Sequence, residues 1–418
     1  MTALDFLKKP WRPELAGAII GIIASIQIFL VRSPWYITGP ENQFGGWLLY
    51  VLTLGLVDVH KWDYFNPSSP MFVAPAAHPF DPANKEFMIV LGFMLGAMIA
   101  KALEGNWRLR WPANRAVLVT SVVGGLMLGF GARLALGCNV GNFVSTVQSL
   151  ILSGVVFFTG MAVGTFIATR LIEDYLLHYM HRSKPFRIEL GSRVDNRKVL
   201  ALALAATAVV SLYWWALGLI TAIFFLLLGL GYGFAGSKGN ICFTSMLRDG
   251  FWSRLAPYGG NARAIAIALS IMITANLVAK YVIGWQYREF LFPVGIHTFL
   301  GGVLFGVGMT LVAGCSFSSA YRSGEGSIPH LIAWFGMVFG MALLSYLWPF
   351  FFTTSIYLTP VLRIYDLFGG NVAAGAAFAY GLCAFIALVG SWRDGSLRRF
   401  ATHMPIQISI KPPFLRRV

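Results

Sequence analysis

Three cysteines follow glycine-rich apolar stretches, and two of those stretches are the same one. Residues 124–138 read GGLMLGFGARLALGC and residues 301–315 read GGVLFGVGMTLVAGC. A shift of 177 positions lays Gly124, Gly125, Gly129, Gly131, Gly137 and Cys138 on Gly301, Gly302, Gly306, Gly308, Gly314 and Cys315. Apolar filling varies freely along a helix, so matches at glycine and cysteine mark a repeated backbone shape. The third thiol, Cys242, follows Gly229, Gly231, Gly233, Gly236 and Gly239, and the counterpart position after the first apolar run carries Tyr36. Thiols bind soft metals, act as nucleophiles when ionised, or donate weak S–H hydrogen bonds. No CxxC and no histidine cluster accompanies these, so a soft, polarizable anion suits them better than a metal. Cys383 has no glycine context and reads as a small packed hydrophobe. The residues after the thiols support an anion site. Asn139, Gly141 and Asn142 follow Cys138, and Ser316, Ser318 and Ser319 follow Cys315. Such polar, glycine-containing segments break a helix, and a broken helix presents free N–H groups and a positive dipole end. Arg133 precedes Cys138 by a little more than one turn. Inside a membrane helix an arginine is costly, so it is expected to face the protein interior with a partner or a ligand. Its duplicate is Thr310.

The elements that must position these residues are membrane helices. Hydrophobic residues make up 57% of the 418 and charged residues 12%, outside the soluble range. Ten apolar runs approach the ~20 residues a membrane-crossing helix needs: 13–31, 86–104, 115–136, 151–173, 198–219, 220–236, 263–284, 298–315, 329–348 and 371–391. The shorter run at 45–57, followed by Asp58, His60, Lys61 and Asp63, reads as interfacial or re-entrant. The start has basic residues before an apolar run but no small-residue cleavage site, so the first helix is expected to stay. The formal charge of +15 falls in loops that a ten-helix count puts on one side, around Lys8, Arg108, Arg182, Arg248 and Arg398. That placement is a topology signal rather than a nucleic-acid footprint, and it predicts both termini in the cytoplasm of a bacterial-type inner membrane. Four cysteines in such a chain do not suggest a disulfide framework.

The offset of the cysteine segment extends to the helices around it. The second helix maps onto the seventh, GMAVG at 160–164 falls near GMVFG at 336–340, and the fifth maps onto the tenth. The expected architecture is all-α: a first repeat at 1–219 with a basic linker at 174–198, a second repeat at 220–391, and a basic tail at 392–418. Five crossings per copy would make the repeat inverted, a common transporter plan with its site near the midplane where the copies meet.

GFGARLALGCN, ICFTSxxRD and GxxxxGCxxxxxYRxxEG resemble the YeeE/YedE family of sulphur-transport membrane proteins, nearest its YedE branch, which is associated with selenium metabolism. The resemblance implies thiosulfate-type uptake through a line of central cysteines, which by motif are Cys138, Cys242 and Cys315. Tyr36 departs from that pattern, where a thiol would be expected in the thiosulfate transporters. The leading expectation is a permease, not an enzyme, for a small sulphur- or selenium-containing oxyanion. Arg133, Asn139, Ser316 and Tyr36 join the three thiols at the site, the bilayer is the surrounding partner, and no cofactor, metal or nucleic acid is called for. The first alternative is a thiol transferase that passes a persulfide-type group to a cytoplasmic sulphur-carrier protein. The second is a membrane scaffold that docks such a carrier through the basic linker or tail. No nucleotide-binding motif occurs in any loop.

Overall fold

Among the described residues, apolar runs bounded by glycine, proline or charge fold into ten helices long and apolar enough to cross a membrane. The computed structural model describes residues 3–176 and 195–397, so 177–194 of the expected linker and 398–418 of the expected tail lie outside the described residues. The ten are α1 (Pro13–Val31), α2 (Met88–Leu103), α3 (Arg115–Leu134), α4 (Ser153–Leu171) and α5 (Asn196–Ala216), then α6 (Ile220–Gly239), α7 (Gly260–Leu277), α8 (Ile296–Val312), α9 (Ile328–Tyr346) and α10 (Val372–Arg393). No β-strand forms among the described residues; two isolated bridges join Arg110 to Ser327 and Ile151 to Arg363.

Loop contacts sort the helix ends. At the first end, Trp11 bonds the Lys238 carbonyl, Arg110 bonds Gly326, and Arg263 reaches Glu14 and Asp394. At the second end, Arg288 bonds Arg32, Val294 bonds Pro360, and Leu152 bonds Leu362. Successive helices therefore alternate in direction, with α1 leaving the first end and α6 leaving the second.

Four shorter helices lie within the bundle: Thr38–Leu52, Ser316–Gly324, a π turn Asn139–Val144 continuing as Ser145–Gln148, and Phe243–Leu247 continuing as Arg248–Trp252. The first of these is the 45–57 run, now with a buried start. Residues 38–46 are all buried or nearly so, and the helix emerges at its exposed end by Leu54 and Leu56. Each of the four follows a long helix that terminates in a left-handed non-glycine residue: Arg32 (φ 53°), Leu136 (φ 65°), Asn240 (φ 50°) and Ala313 (φ 55°). That conformation costs an L-residue roughly 1–2 kcal/mol, and here it turns the chain back into the protein.

The duplicated glycines lie where α3 and α8 cross. A methyl group added at Gly124 would sit 2.8 Å from the Gly308 carbonyl oxygen, and one at Gly308 would sit 2.6 Å from that of Gly124. Gly131 and Gly301 face each other in the same way, at 2.6 and 2.8 Å. The crossing is antiparallel and reciprocal. Small residues permit this backbone approach in lipid, where hydrophobicity supplies no force between helices. Around it, α3 packs on α9, α8 on α4, α2 on α6, and α1 on α7.

Candidate functional site

Each thiol occupies the residue just before a short helix. Cys138 precedes the 139–148 helix, Cys242 the 243–252 helix and Cys315 the 316–324 helix; Ile37 holds the corresponding place before Thr38. All three cysteines are at most 2% exposed, and all are free.

The four helix starts converge. Ser316 Oγ donates to Asn139 Oδ1 at 2.8 Å, a contact between residues 177 positions apart. Cys242 Sγ and Cys315 Sγ lie 3.4 and 3.3 Å from one oxygen, Ser318 Oγ. Ser318 also accepts from the Cys315 backbone N–H (2.8 Å), while its own N–H donates to Cys315 Sγ (3.4 Å), so the thiol caps its helix. Phe143 meets Phe243, Trp35 meets Phe317, and Tyr321 Oη donates to the Ile241 carbonyl at 3.0 Å. Ser145 donates to the Trp35 carbonyl, and Gly141 lies against Tyr36. Several donors around this centre have no partner among the described residues, including Asn139 Nδ2, Ser319 Oγ, Tyr36 Oη and Arg133 Nε. A buried donor left unpaired is costly, so such a group marks a place for a ligand or water.

A cavity of about 370 Å³ leads toward this centre from the second end, lined by Tyr36, Arg133, Arg288, Gly137 and Gly141 among others. A neighbouring cavity of about 410 Å³ shares Arg133 and Tyr64. Arg133 is 6% exposed. Its guanidinium donates to Tyr64 Oη (2.5 Å) and to the Leu136 carbonyl (3.3 Å), and no carboxylate lies in ion-pair range of it among the described residues. The charge therefore remains available to an anion in the cavity. Thr310, its duplicate, turns its hydroxyl onto the Gly306 carbonyl instead (2.8 Å). Tyr36 packs edge-on against Phe290, and Arg288 sits over both rings. Arg288 is 64% exposed and only 4.0 Å from Glu86, a pair worth little in water.

At the first end Arg248 pairs with Asp249 (2.6 Å), as their adjacency suggests. Arg322 does not pair with Glu325, three residues on. Glu325 takes Arg110 (3.0 Å) and Ser237 (2.6 Å), and Arg322 donates to the Ala313 carbonyl (3.1 Å), Asn240 Oδ1 (2.8 Å) and His330 Nε2 (3.3 Å). Lys238, also near a thiol in sequence, is buried against Glu104 at 2.9 Å. Ser318, Tyr64 and Arg288 are not singled out by the sequence. Ser318 lies inside the polar run after Cys315, whereas Tyr64 and Arg288 sit in loops with no pattern to mark them.

Among the described residues no group of three or more histidine, cysteine or acidic side chains is arranged to hold a metal ion. The profile of the sulphur transport family matches residues 2–167 and 238–417. The probable transporter YedE of Escherichia coli is 26% identical across 97% of this chain and 98% of its own. Its namesake in Salmonella typhimurium is 28% identical across 82% of this chain and 83% of its own. The thiosulfate transporter TsuA of Spirochaeta thermophila is 42% identical over a shorter segment, 17% of this chain and 22% of its own.

Proposed function

The chain belongs to the sulphur transport family, and from that premise we propose that it is a permease for a small sulphur- or selenium-containing oxyanion, handed between buried thiols. The observation that carries the reading is the convergence of three thiols at the starts of three buried helices, two of them on one serine hydroxyl. Arg133 and the partial positive charge of the helix ends draw the anion from the cavity. Tyr36 offers its unpaired hydroxyl to an oxygen of the anion, where a thiol would instead have addressed its soft terminal atom. Asn139 and Ser316 bridge the outer thiol, Cys138, to the inner pair, Cys242 and Cys315. Neutral S–H groups donate weakly, which suits conduction, since a tightly held ion does not leave. The basic loops gather at the first end, so that end, with both chain termini, faces the cytoplasm of a plasma membrane.

The test is uptake of labelled thiosulfate, sulphite and selenite by purified protein in liposomes. Wild type is expected to carry at least one of the three, and each of Cys138→Ser, Cys242→Ser and Cys315→Ser to carry it at least about fivefold more slowly, the loss of a contact worth ~1 kcal/mol. Serine keeps a donor but forms no persulfide. Residual flux in all three variants therefore excludes obligatory sulphur transfer to a carrier, and complete loss in one of them favours it. No flux of any of the three anions in wild type would sink the permease reading.

A further inference from the structure

Among the ionisable groups that the thiols, Arg133 and Tyr36 leave without a task is a buried carboxyl, Glu41. Glu41 lies in the first turn of the Thr38–Leu52 helix and is 0% exposed. Trp334 Nε1 of α9 donates to its Oε1 at 2.6 Å, while Oε2 has no partner among the described residues. The next residue, Asn42, exchanges hydrogen bonds with Ser345, also of α9, at 3.0 and 3.1 Å, so the start of this helix is clamped in place. Several elements facing it carry ionisable groups: His330 and Tyr346 at the ends of α9, Lys85 and Glu86 in the 82–87 turn, His60 and Lys61 in the 59–61 turn, and Cys138 at the break after α3. None of their cations lies in ion-pair range of Glu41 among the described residues; Glu86 and Lys61 pair elsewhere.

A carboxylate buried with no cation and one hydrogen bond is poorly accommodated, and the neutral acid fits the site better. As the acid, however, its O–H on Oε2 has no acceptor among the described residues. What completes the group is an acceptor that arrives: an anion held where the short-helix starts converge, the Thr38–Leu52 helix being one of them. Water is close at hand, because Thr38 and Gln43, on either side of Glu41 in the same helix, line the 370 Å³ cavity.

We propose that Glu41 is the proton-binding residue that couples anion passage to proton movement, an inference that rests on the permease reading. When a divalent oxyanion reaches the convergence of the helix starts, the carboxyl proton passes to an anion oxygen. The anion goes on as a singly charged species, which crosses the dry centre more easily, and a carboxylate remains. A proton from the cavity water restores the acid, so one proton travels with each anion.

The measurement is anion accumulation in liposomes at clamped zero membrane potential, with and without a proton gradient of one pH unit. One-to-one coupling gives about tenfold accumulation per pH unit. Wild type and Glu41→Asp are expected to accumulate the anion toward the less acidic side, and Glu41→Gln to equilibrate it at a ratio of one. Wild type that carries the anion downhill but ignores the gradient overturns the coupling proposal, as does Glu41→Gln accumulating like wild type. Absence of downhill flux in wild type is a different result and overturns the permease reading itself. If Glu41→Gln does not fold, Trp334→Phe supplies the test. It removes the N–H that favours the ionised form, so the pH profile of the uptake rate should shift to higher pH, with the accumulation ratio unchanged. An unmoved profile counts against Glu41.

Discussion

Ser318 holds two thiols and a backbone N–H on one oxygen, so its hydroxyl sets where Cys242 and Cys315 can present their protons. Ser318→Ala leaves the Cys315 N–H and the Cys242 sulphur without the hydroxyl, and holds the Cys315 sulphur by the residue-318 N–H alone. A hydrogen bond of this kind is worth about 1 kcal/mol net, which is about fivefold in rate if it is made along the path. Liposome flux should therefore fall about that much in Ser318→Ala and recover in Ser318→Thr, with the melting temperature as the control for folding. Unchanged flux in the alanine variant would mean that the pair is placed by packing alone. The residue scale is only partly legible in the sequence. Cys138, Cys315 and Arg133 stand out because duplication and membrane cost single out glycine, thiol and charge. Ser318 is in view as one of several serines, but nothing along the chain tells which hydroxyl turns toward two sulphurs. Tyr64 reaches Arg133 from 69 residues away, a pairing that no local pattern encodes. Glu41 is hidden for a similar reason: its burial against α9 is a tertiary fact. Spacing alone makes Arg322 and Glu325 look like a pair, yet a nearer set of acceptors claims each of them.

At the scale of elements, hydropathy locates the ten long helices well because lipid length is a strong constraint. It blurs the breaks at the ends of two of them. The apolar run 298–315 reads through to the cysteine, whereas α8 stops at Val312 and Cys315 opens a new helix. The turn between them rests on Ala313, and at the matching place after α3 on Leu136, neither of which is a residue type that announces a left-handed turn. Gly137 and Gly314, one position later, are the visible signs. The glycines earlier in the same segments act by bringing backbones together. At Gly124 and Gly308 each missing methyl would strike the other helix's carbonyl at under 3 Å. Gly124→Ala and Gly308→Ala should each separate α3 from α8 and destabilise the protein by roughly 1–3 kcal/mol, the usual cost of overpacking. The pair should be less than additive, because one separation relieves both clashes. Thermal melting in detergent measures this. A double variant as unstable as the sum of the singles would show that the two contacts act independently.

Across the whole molecule, the most extensive helix contacts run between the expected halves, while α5 packs on α2 and α10 on α7 within their own. Gly129 of α3 meets the Met337 carbonyl of α9, and Gly306 of α8 meets that of Met161 in α4. Gly340 of α9 meets Leu126, and Gly164 of α4 meets Val303. Each pair reproduces the other when both members are carried across by 176 or 177 positions. The reciprocal α3–α8 crossing, the opposite directions of α1 and α6 and the Asn139–Ser316 hydrogen bond are what an inverted repeat, as expected from the sequence, would produce. In lipid, where stability comes from packing rather than from hydrophobic exclusion, partner choice decides what folds. A lone 1–219 fragment would keep α1, α2, α3 and α4 but lose α7, α6, α9 and α8, the helices they pack on. Residues 1–219 expressed alone should therefore be degraded or aggregate, as should 220–418. Co-expressed, the two should recover a complex that co-elutes in detergent and carries the anion. A 1–219 fragment that is monomeric and melts cooperatively by itself would show that each half holds its own fold. The thiols would then sit at a seam between two finished domains, and not at the crossing that makes them one.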